Sequence, residues 1–247
     1  MKKIRAVLHV HSTWSYDGQW SLPALARLYG ALGIHAVMMT EHDTGFDPIR
    51  FDAYRAACAS ASTSRCTLIP GIEYSSPDNN IHILTWGLQG FLAEHRPVTE
   101  TLAAVRDQGG VAIFAHPIRR NAWRSFDLAW VPYLAGIELW NRKSDGISWG
   151  TEAWALLHDT GLPAIVGQDF HKWRHLYPLT NIVEIQHAVL EASGLEHTLV
   201  SALQEGRIEP QAFRRPVLDR NGKPIEFPHQ YLERVRQTVR DKVRGKK

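Results

Sequence analysis

The chain has 247 residues, a formal net charge of +3, 44% hydrophobic and 21% charged residues. These proportions suit a globular protein that buries a sizeable core and exclude a low-complexity chain. Two cysteines, Cys58 and Cys66, give no disulfide framework, and neither a membrane-length apolar run nor a secretory leader is evident, so a reducing cytoplasm is the expected compartment.

Apolar runs alternate with helical patterns along most of the length. "IRAVLHVH" reads as a strand and "SLPALARLYGALG" as a helix capped by Ser21 and stopped at Gly33. The strand "HAVMMTEH" precedes a helical "DPIRFDAYRAACASAS", and "CTLIPGIEYSS" and "IHILTWGL" read as further strands. The helix "PVTETLAAVRDQGG" leads into the strand "VAIFAH". "AGIELWN", the helix "TEAWALLHDTG", "LPAIVGQDF", "NIVEIQ" and the helix "GLEHTLVSALQEG" complete the alternation. Nearly continuous apolar strands separated by helices predict parallel pairing, in a doubly wound sheet or a barrel. After Gly206 the pattern changes: "PVLDRNGKPIEF" reads as a hairpin around Asn221-Gly222, followed by a basic helix over 232–247. The expected organisation is one domain over 1–206 with an extension over 207–247 packed on it.

The strands mostly end in residue types that bind metals. His9 and His11 share strand parity, which places their rings on one face. Then come Glu41, His42 and Asp43, then Glu73, His82, His116 and Glu138, and finally Asp169 and His171. Loops at the carboxyl ends of parallel strands converge on one crevice, so residues distant in sequence become neighbours there. Taken singly, each has an ordinary alternative: a strand-end histidine caps or hydrogen-bonds, Glu73 faces solvent, Asp169 caps a helix. Recurrence argues for the joint reading, because burying so many polar groups without a cation or full hydrogen bonding is costly.

The ordered series "HVHSTWSYDG", "TEHD", "GIEYS", "IHIL", "AHP" and "QDFH" resembles the PHP family, named for polymerase and histidinol phosphatase, across roughly the first 200 residues. The resemblance implies an α/β fold, a distorted (β/α)7 barrel, with two or three divalent ions at the carboxyl ends of its strands. It implies that His9, His11, Glu73 and Asp169 hold the first ion, that Glu73 bridges to a second completed by His82 and His116, and that Asp17, His42 and His171 hold the third. The pattern departs in two places. Glu41 stands where the family commonly has Asp, which bears on the orientation of His42. Gln168 and Phe170 stand where small residues are usual, which predicts a narrower mouth.

Mixed nitrogen and oxygen donors suit Zn, Mn or Fe, with Mg as a further option. Such a site predicts hydrolysis of phosphate esters by a metal-bound hydroxide attacking phosphorus, on a small phosphorylated metabolite or a nucleotide. Arg119 and Arg120 are candidates to grip the substrate phosphate, with Lys172 and Arg174 in reserve, and Asp43 is a candidate to orient His42. Trp14, Trp123 and Trp173 fall in loops flanking the ligands, while Trp86, Trp140 and Trp154 read as core. No residue stands out as a general acid. The alternatives are a nuclease trimming short oligonucleotides, a hydrolase of amides or carboxylic esters, and a non-catalytic metal-binding scaffold. Nucleic acid is not the favoured partner, no membrane association is expected, and the sequence leaves the oligomeric state open.

Overall fold

The computed structural model describes residues 2–185, 192–228, 230, 231 and 235. It begins with β1 (Lys2–Val10), α1 (Leu22–Ala31), β2 (Ala36–Met39) and β3 (Glu41–His42). Then come α2 (Phe51–Ala61), β4 (Thr67–Ile69), β5 (Gly71–Ser75), β6 (His82–Trp86), α3 (Val98–Asp107) and β7 (Val111–Phe114). Two short 3-10 segments, Arg119–Ser125 and Leu128–Tyr133, lead into β8 (Gly136–Asn141) and the short α4 (Arg142–Asp145). α5 (Thr151–Thr160), β9 (Ala164–Phe170), β10 (Leu179–Ile185), α6 (Ala192–Gln204), β11 (Ile208–Ala212) and β12 (Arg215–Pro216) complete the order.

The helices form where apolar residues recur every three or four positions. In α1 the buried residues are Leu22, Leu25, Ala26 and Tyr29, one stripe facing the sheet. Gly33, with a φ of +75°, turns the chain out of that helix, a conformation that favours glycine.

β1 pairs in parallel with β2 on one side and with β9 on the other. β2 pairs with β4, and β3 with β5. β2 and β3 are one strand course interrupted at Thr40, and β4 and β5 are another interrupted at Pro70. From β5 the ladder continues through β6, β7 and β8 to β9. Seven strand courses therefore encircle one axis, with chain continuity across Thr40 and Pro70 bridging the break in the hydrogen-bonded ladder. This is the distorted seven-stranded barrel that the family resemblance implies.

Two of the expected strands, β6 and β10, depart from the parallel expectation. β6 runs antiparallel to both β5 and β7. The link between Ser75 and His82 spans only residues 76–81, whereas a parallel crossover needs about a dozen. β10 also runs antiparallel, against Lys2–Ala6 of β1 outside the ring, and β11 and β12 extend that flank. The chain beyond Gly206 thus joins the same sheet. The hairpin expected around Asn221-Gly222 is reduced to a tight turn and a single bridge between Leu218 and Pro224. The basic helix expected over 232–247 lies outside the described residues, apart from Val235.

Side chains inside the ring include Ile4, Ala6, Leu8, Met38, Leu84, Trp86, Ile113 and Ile165, joined by Leu199, Val200 and Leu203 of α6. The side-chain amide of Gln204 donates to the carbonyls of Gly109 and Gly110 just ahead of β7, so α6 seals the foot of the barrel. Val7, Val10, Leu25, Tyr29 and Phe114 belong to the second core, between the strands and the outer helices. Trp86 and Trp140 are buried as expected, whereas Trp154 is only partly so. No helix among the described residues is long and apolar enough to cross a membrane. With the foot closed, the opposite rim is where polar side chains collect.

Candidate metal centre

The opening pair of histidines owes its direction to a bulge. Simple alternation would put His9 and His11 on the face of Val7, which packs toward the helices. Instead the register shifts between Leu8 and Val10, and His9 adopts a φ of +64°. The extra residue reverses the alternation: Leu8 faces inward, Val10 packs in the outer core, and the rings of His9 and His11 point at the barrel axis. His116 and Asp169 also have positive φ, +26° and +48°. Each such backbone costs on the order of 1–3 kcal/mol, so three at one rim mark a place where surrounding contacts override local preference.

Glu73, on β5, is the hub of this rim. Its Oε1 lies 2.7 Å from His82 Nδ1, 2.9 Å from His116 Nε2 and 3.4 Å from His9 Nε2. Its Oε2 lies 3.0 Å from His42 Nδ1 and 3.4 Å from His11 Nε2. Asp169 Oδ1 lies 3.6 Å from Nε2 of both His9 and His11 and 3.3 Å from His171 Nδ1. Asp17 closes the rim from the solvent side, 3.2 Å from both His42 and His171. All nine residues predicted as ligands are therefore together, and all but Asp17 are buried. His82 arrives from the opposite direction to the rest: it starts β6, and because β6 is inverted its amino end lies at the carboxyl rim of the parallel strands.

Several residues outside the predicted set hold these groups in place. Glu138 is fully buried under the rim; its carboxylate accepts from His9 Nδ1 and from the His116 backbone N–H, both at 2.8 Å, and from Asn141 Nδ2 at 3.0 Å. Glu41 accepts from the Ser12 backbone N–H and hydroxyl and from the Ser15 hydroxyl. The Ser15 oxygen in turn accepts the His42 backbone N–H at 3.0 Å and lies 3.3 Å from His11 Nδ1. The longer Glu41 side chain thus positions His11 and His42 through Ser15. Lys143 reaches in from α4, its Nζ 3.3 Å from Asp169 and 3.2 Å from His171. Lys143 gives no sequence signal, because its neighbours come from β9 and the loop after it. Glu138 did have one, as a carboxylate at a strand end.

The electrostatics couple the buried carboxylates to the cationic and histidine side chains around them. Burial opposes ionisation of Glu73, yet His82 and His9 overcome it and hold its carboxyl well below the usual range. Asp169 is likewise lowered, by His9 and Lys143 against burial. Burial opposes charge on His42, but Asp17 and Glu73 raise it to about 10. His11 is held neutral by burial and by the neighbouring His42 and His171.

No protein-family profile matches the sequence, and no curated protein does. Solved structures do. A two-domain protein from Bacteroides vulgatus that contains a predicted PHP-like metal-dependent phosphoesterase superposes with a TM-score of 0.64 at 18% identity, over 88% of this chain and 66% of its own. The chain has the PHP fold. PsfC from Pseudomonas syringae matches at 0.62 and 14% identity, over 87% of this chain and 93% of its own. The lesion-specific endonuclease from Pyrococcus furiosus matches at 0.58 and 14%, over 88% of this chain and 58% of its own. The chain thus spans just under two thirds of the Bacteroides protein and less of the endonuclease.

The rim of this PHP barrel fits divalent cations on its own chemistry. His9 Nε2 and His11 Nε2 are buried and hydrogen-bond to nothing among the described residues, although both face the Glu73 and Asp169 carboxylates. Separations of 3.4–3.6 Å are long for hydrogen bonds, and they leave room for a cation between the donors. Three groups each offer donor atoms within 4.8 Å of one another: His9, His11 and Asp169; His9, Glu73 and His116; His11, His42 and His171.

Other expectations need correcting. Asp43 does not orient His42: its carboxylate accepts from Ser75 N and Oγ, Thr44 N and His95 N, tying the neighbouring loops together. Gln168 and Phe170 do not narrow the mouth. Gln168 turns outward to Tyr29 Oη and the Tyr177 and Leu179 carbonyls, and Phe170 packs in the outer core. Of the two arginines, Arg119 lines the rim cavity of about 100 Å³ with Tyr16, Asn79 and Lys143, its Nη1 3.2 Å from His82 Nε2. Arg120 is exposed and donates to the Asn79 carbonyl from outside. Trp14 packs against Phe46 and Tyr54, and Trp123 lies under Arg124, which makes both packing residues. Trp173 is 62% exposed and stacks on Trp20.

Proposed function

We propose that the chain is a metal-dependent phosphoesterase that releases phosphate from a small phosphorylated metabolite or a nucleotide. The observation that carries this reading is the pair of buried nitrogens, His9 Nε2 and His11 Nε2, that have no hydrogen-bond partner among the described residues and face the Glu73 and Asp169 carboxylates, which in turn line a cavity with Arg119 and Lys143. His9, His11, Glu73 and Asp169 would hold a first ion, Glu73, His82 and His116 a second, and Asp17, His42 and His171 a third. Two or three ions of Mn, Zn or Fe suit this donor set, with Mg the weaker fit. When bound, they supply Lewis acidity and a water that ionises near neutral pH.

The protein's own residues do the rest. Arg119 brings a guanidinium to the cavity wall, where it can pair with phosphate oxygens that the Glu73 side would repel. Lys143 adds a second positive charge to the cavity lining, beside Asp169. Tyr16, 76% exposed with its ring stacked on His42 at 5.2 Å, lines the same cavity. Glu138 and Glu41 keep His9, His11 and His42 aimed at the cavity, so little reorganisation is needed when substrate arrives.

The test is a panel of phosphate esters offered to protein loaded with defined Mn, Zn, Fe or Mg. Phosphate release that disappears in Asp169→Asn and His9→Gln, with both variants folded, is the expected result; no release from any loaded form would end the proposal. A scaffold would show ion binding without turnover. The exposed Trp173–Trp20 stack favours one second reading, a nuclease acting on single strands, because an exposed aromatic platform can stack a base. Cleavage of short single strands with steep salt dependence would select it.

A further inference from the structure

Beside the rim cavity lies a second one, of about 350 Å³, lined by Asp17, Arg142, Lys143, His171, Lys172, Arg174 and His175. The two share Asp17 and Lys143 as a common wall. Four of the seven lining residues are Lys or Arg, and the single carboxylate, Asp17, is already engaged by His42 and His171. Among the described residues, Arg142, Lys172 and Arg174 have no carboxylate within ion-pair distance. Arg142 lies over the ring of Tyr177 at 5.0 Å, and its Nε is buried without a hydrogen-bond partner. Arg174 spends only its Nε, on His175 Nε2 at 3.3 Å.

This basic wall is also held rigid. The His175 backbone N–H donates to the Lys172 carbonyl at 2.8 Å, closing a 3-10 turn. His175 Nδ1 accepts the His171 backbone N–H at 3.2 Å, and Trp173, between the two cations, stacks on Trp20 with ring centroids 6.1 Å apart. Like charges crowded into one fixed cavity repel, which costs stability unless an anion fills the space. Fixing the backbone that carries Lys172 and Arg174 lowers the ordering cost of binding.

We propose that this cavity is a second anion subsite, taking a phosphate of the substrate other than the one released at the rim, so that the preferred substrates are organic bisphosphates. This rests on the phosphoesterase reading of the neighbouring rim and names its substrate class. Arg142 and Arg174 offer forked donors to phosphate oxygens, Lys172 a point charge, and Lys143 stands between the two phosphates.

The experiment is calorimetric titration of the metal-loaded full chain with inorganic phosphate, for the wild type and for the Lys172→Gln/Arg174→Gln variant. One phosphate should be lost from the stoichiometry, from two to one. A fall from one to none would keep the subsite while removing phosphate binding at the rim, and with it the phosphoesterase reading. An unchanged stoichiometry overturns the subsite, whatever the rim does. A kinetic arm compares matched pairs, fructose 1,6-bisphosphate with fructose 6-phosphate and 2,3-bisphosphoglycerate with 3-phosphoglycerate. The wild type should favour a bisphosphate in kcat/KM, and the double variant should cut that ratio at least about tenfold, the loss of one charge-assisted contact. No preference in either pair, or a ratio that survives the substitutions, overturns the substrate class.

Discussion

Replacing Glu138 by Gln changes one atom in a buried carboxylate that touches no substrate, and it should nonetheless weaken the metal centre. Glu138 accepts three hydrogen bonds: Oε1 from His9 Nδ1 at 2.8 Å, and Oε2 from the His116 N–H at 2.8 Å and Asn141 Nδ2 at 3.0 Å. A glutamine has one oxygen for these donors. If its NH2 takes the Oε1 position it faces His9, whose proton must move to Nε2, the atom aimed at the cavity. If it takes the Oε2 position it opposes two donors at once. Either outcome removes a charge-assisted bond of about 1.5–3 kcal/mol. Loss of an outer partner of a liganding histidine lowers metal affinity by about 10–100-fold, or about 1.4–2.8 kcal/mol, which agrees with that bond. The assay is competition for metal with a chromophoric chelator, alongside thermal unfolding. Where the glutamine NH2 faces His9, Glu138→Gln should add little to His9→Gln in a double-variant cycle; a full additional loss would place the effect at the His116 N–H and Asn141 instead. A Glu138→Gln protein that binds metal within about twofold of the wild type would falsify the assignment.

Gly167→Ala should produce a similar metal-binding defect by a steric route, since a Cβ there collides with the Glu138 carboxylate and lies 3.0 Å from His9 Cβ; normal metal content in a folded variant would contradict this. Removing metal with a chelator should lower the melting temperature and restore it on reloading, because the carboxylates and unpartnered histidine nitrogens then lose their cation. A chelator-insensitive melt would argue that the rim is satisfied without ions. Burial pushes the Cys66 thiol up from 9.0 to about 12. With the folded value raised, its contribution to stability is fully present below pH 9 and lost as pH rises toward 12, so Cys66→Ala should flatten the alkaline limb of the stability profile. A thiol reagent at pH 8 should correspondingly label neither Cys58 nor Cys66 in the native protein, and both once it is unfolded.

Much of the site could be read before folding, because ligand chemistry is a property of residue type. His9, His11, His42, Glu73, His82, His116, Asp169 and His171 were each visible as a donor near a strand end, Asp17 came only with the family resemblance, and the alternation of strands with helices made a common rim the natural meeting place. Strand and helix positions along the chain followed for the same local reason, from runs such as "VAIFAH" and stripes such as Leu22, Leu25 and Tyr29.

What the chain could not declare locally was direction. Parity alone would have turned His9 and His11 outward; the bulge at His9, stabilised by β2, β9 and Glu138, brought them in. The short link after Ser75 did carry a signal that β6 must reverse, since six residues cannot return a chain to the far edge for parallel pairing. Asp43 and Glu138 look alike in sequence, yet only Glu138 supports a candidate ligand, because which donors a buried carboxylate meets depends on strands drawn from elsewhere. Adjacent Arg119 and Arg120 part company for the same reason, one at the cavity wall and one outside it. Residue types therefore determined what chemistry this protein can attempt, while long-range packing decided which side chains face one another to perform it.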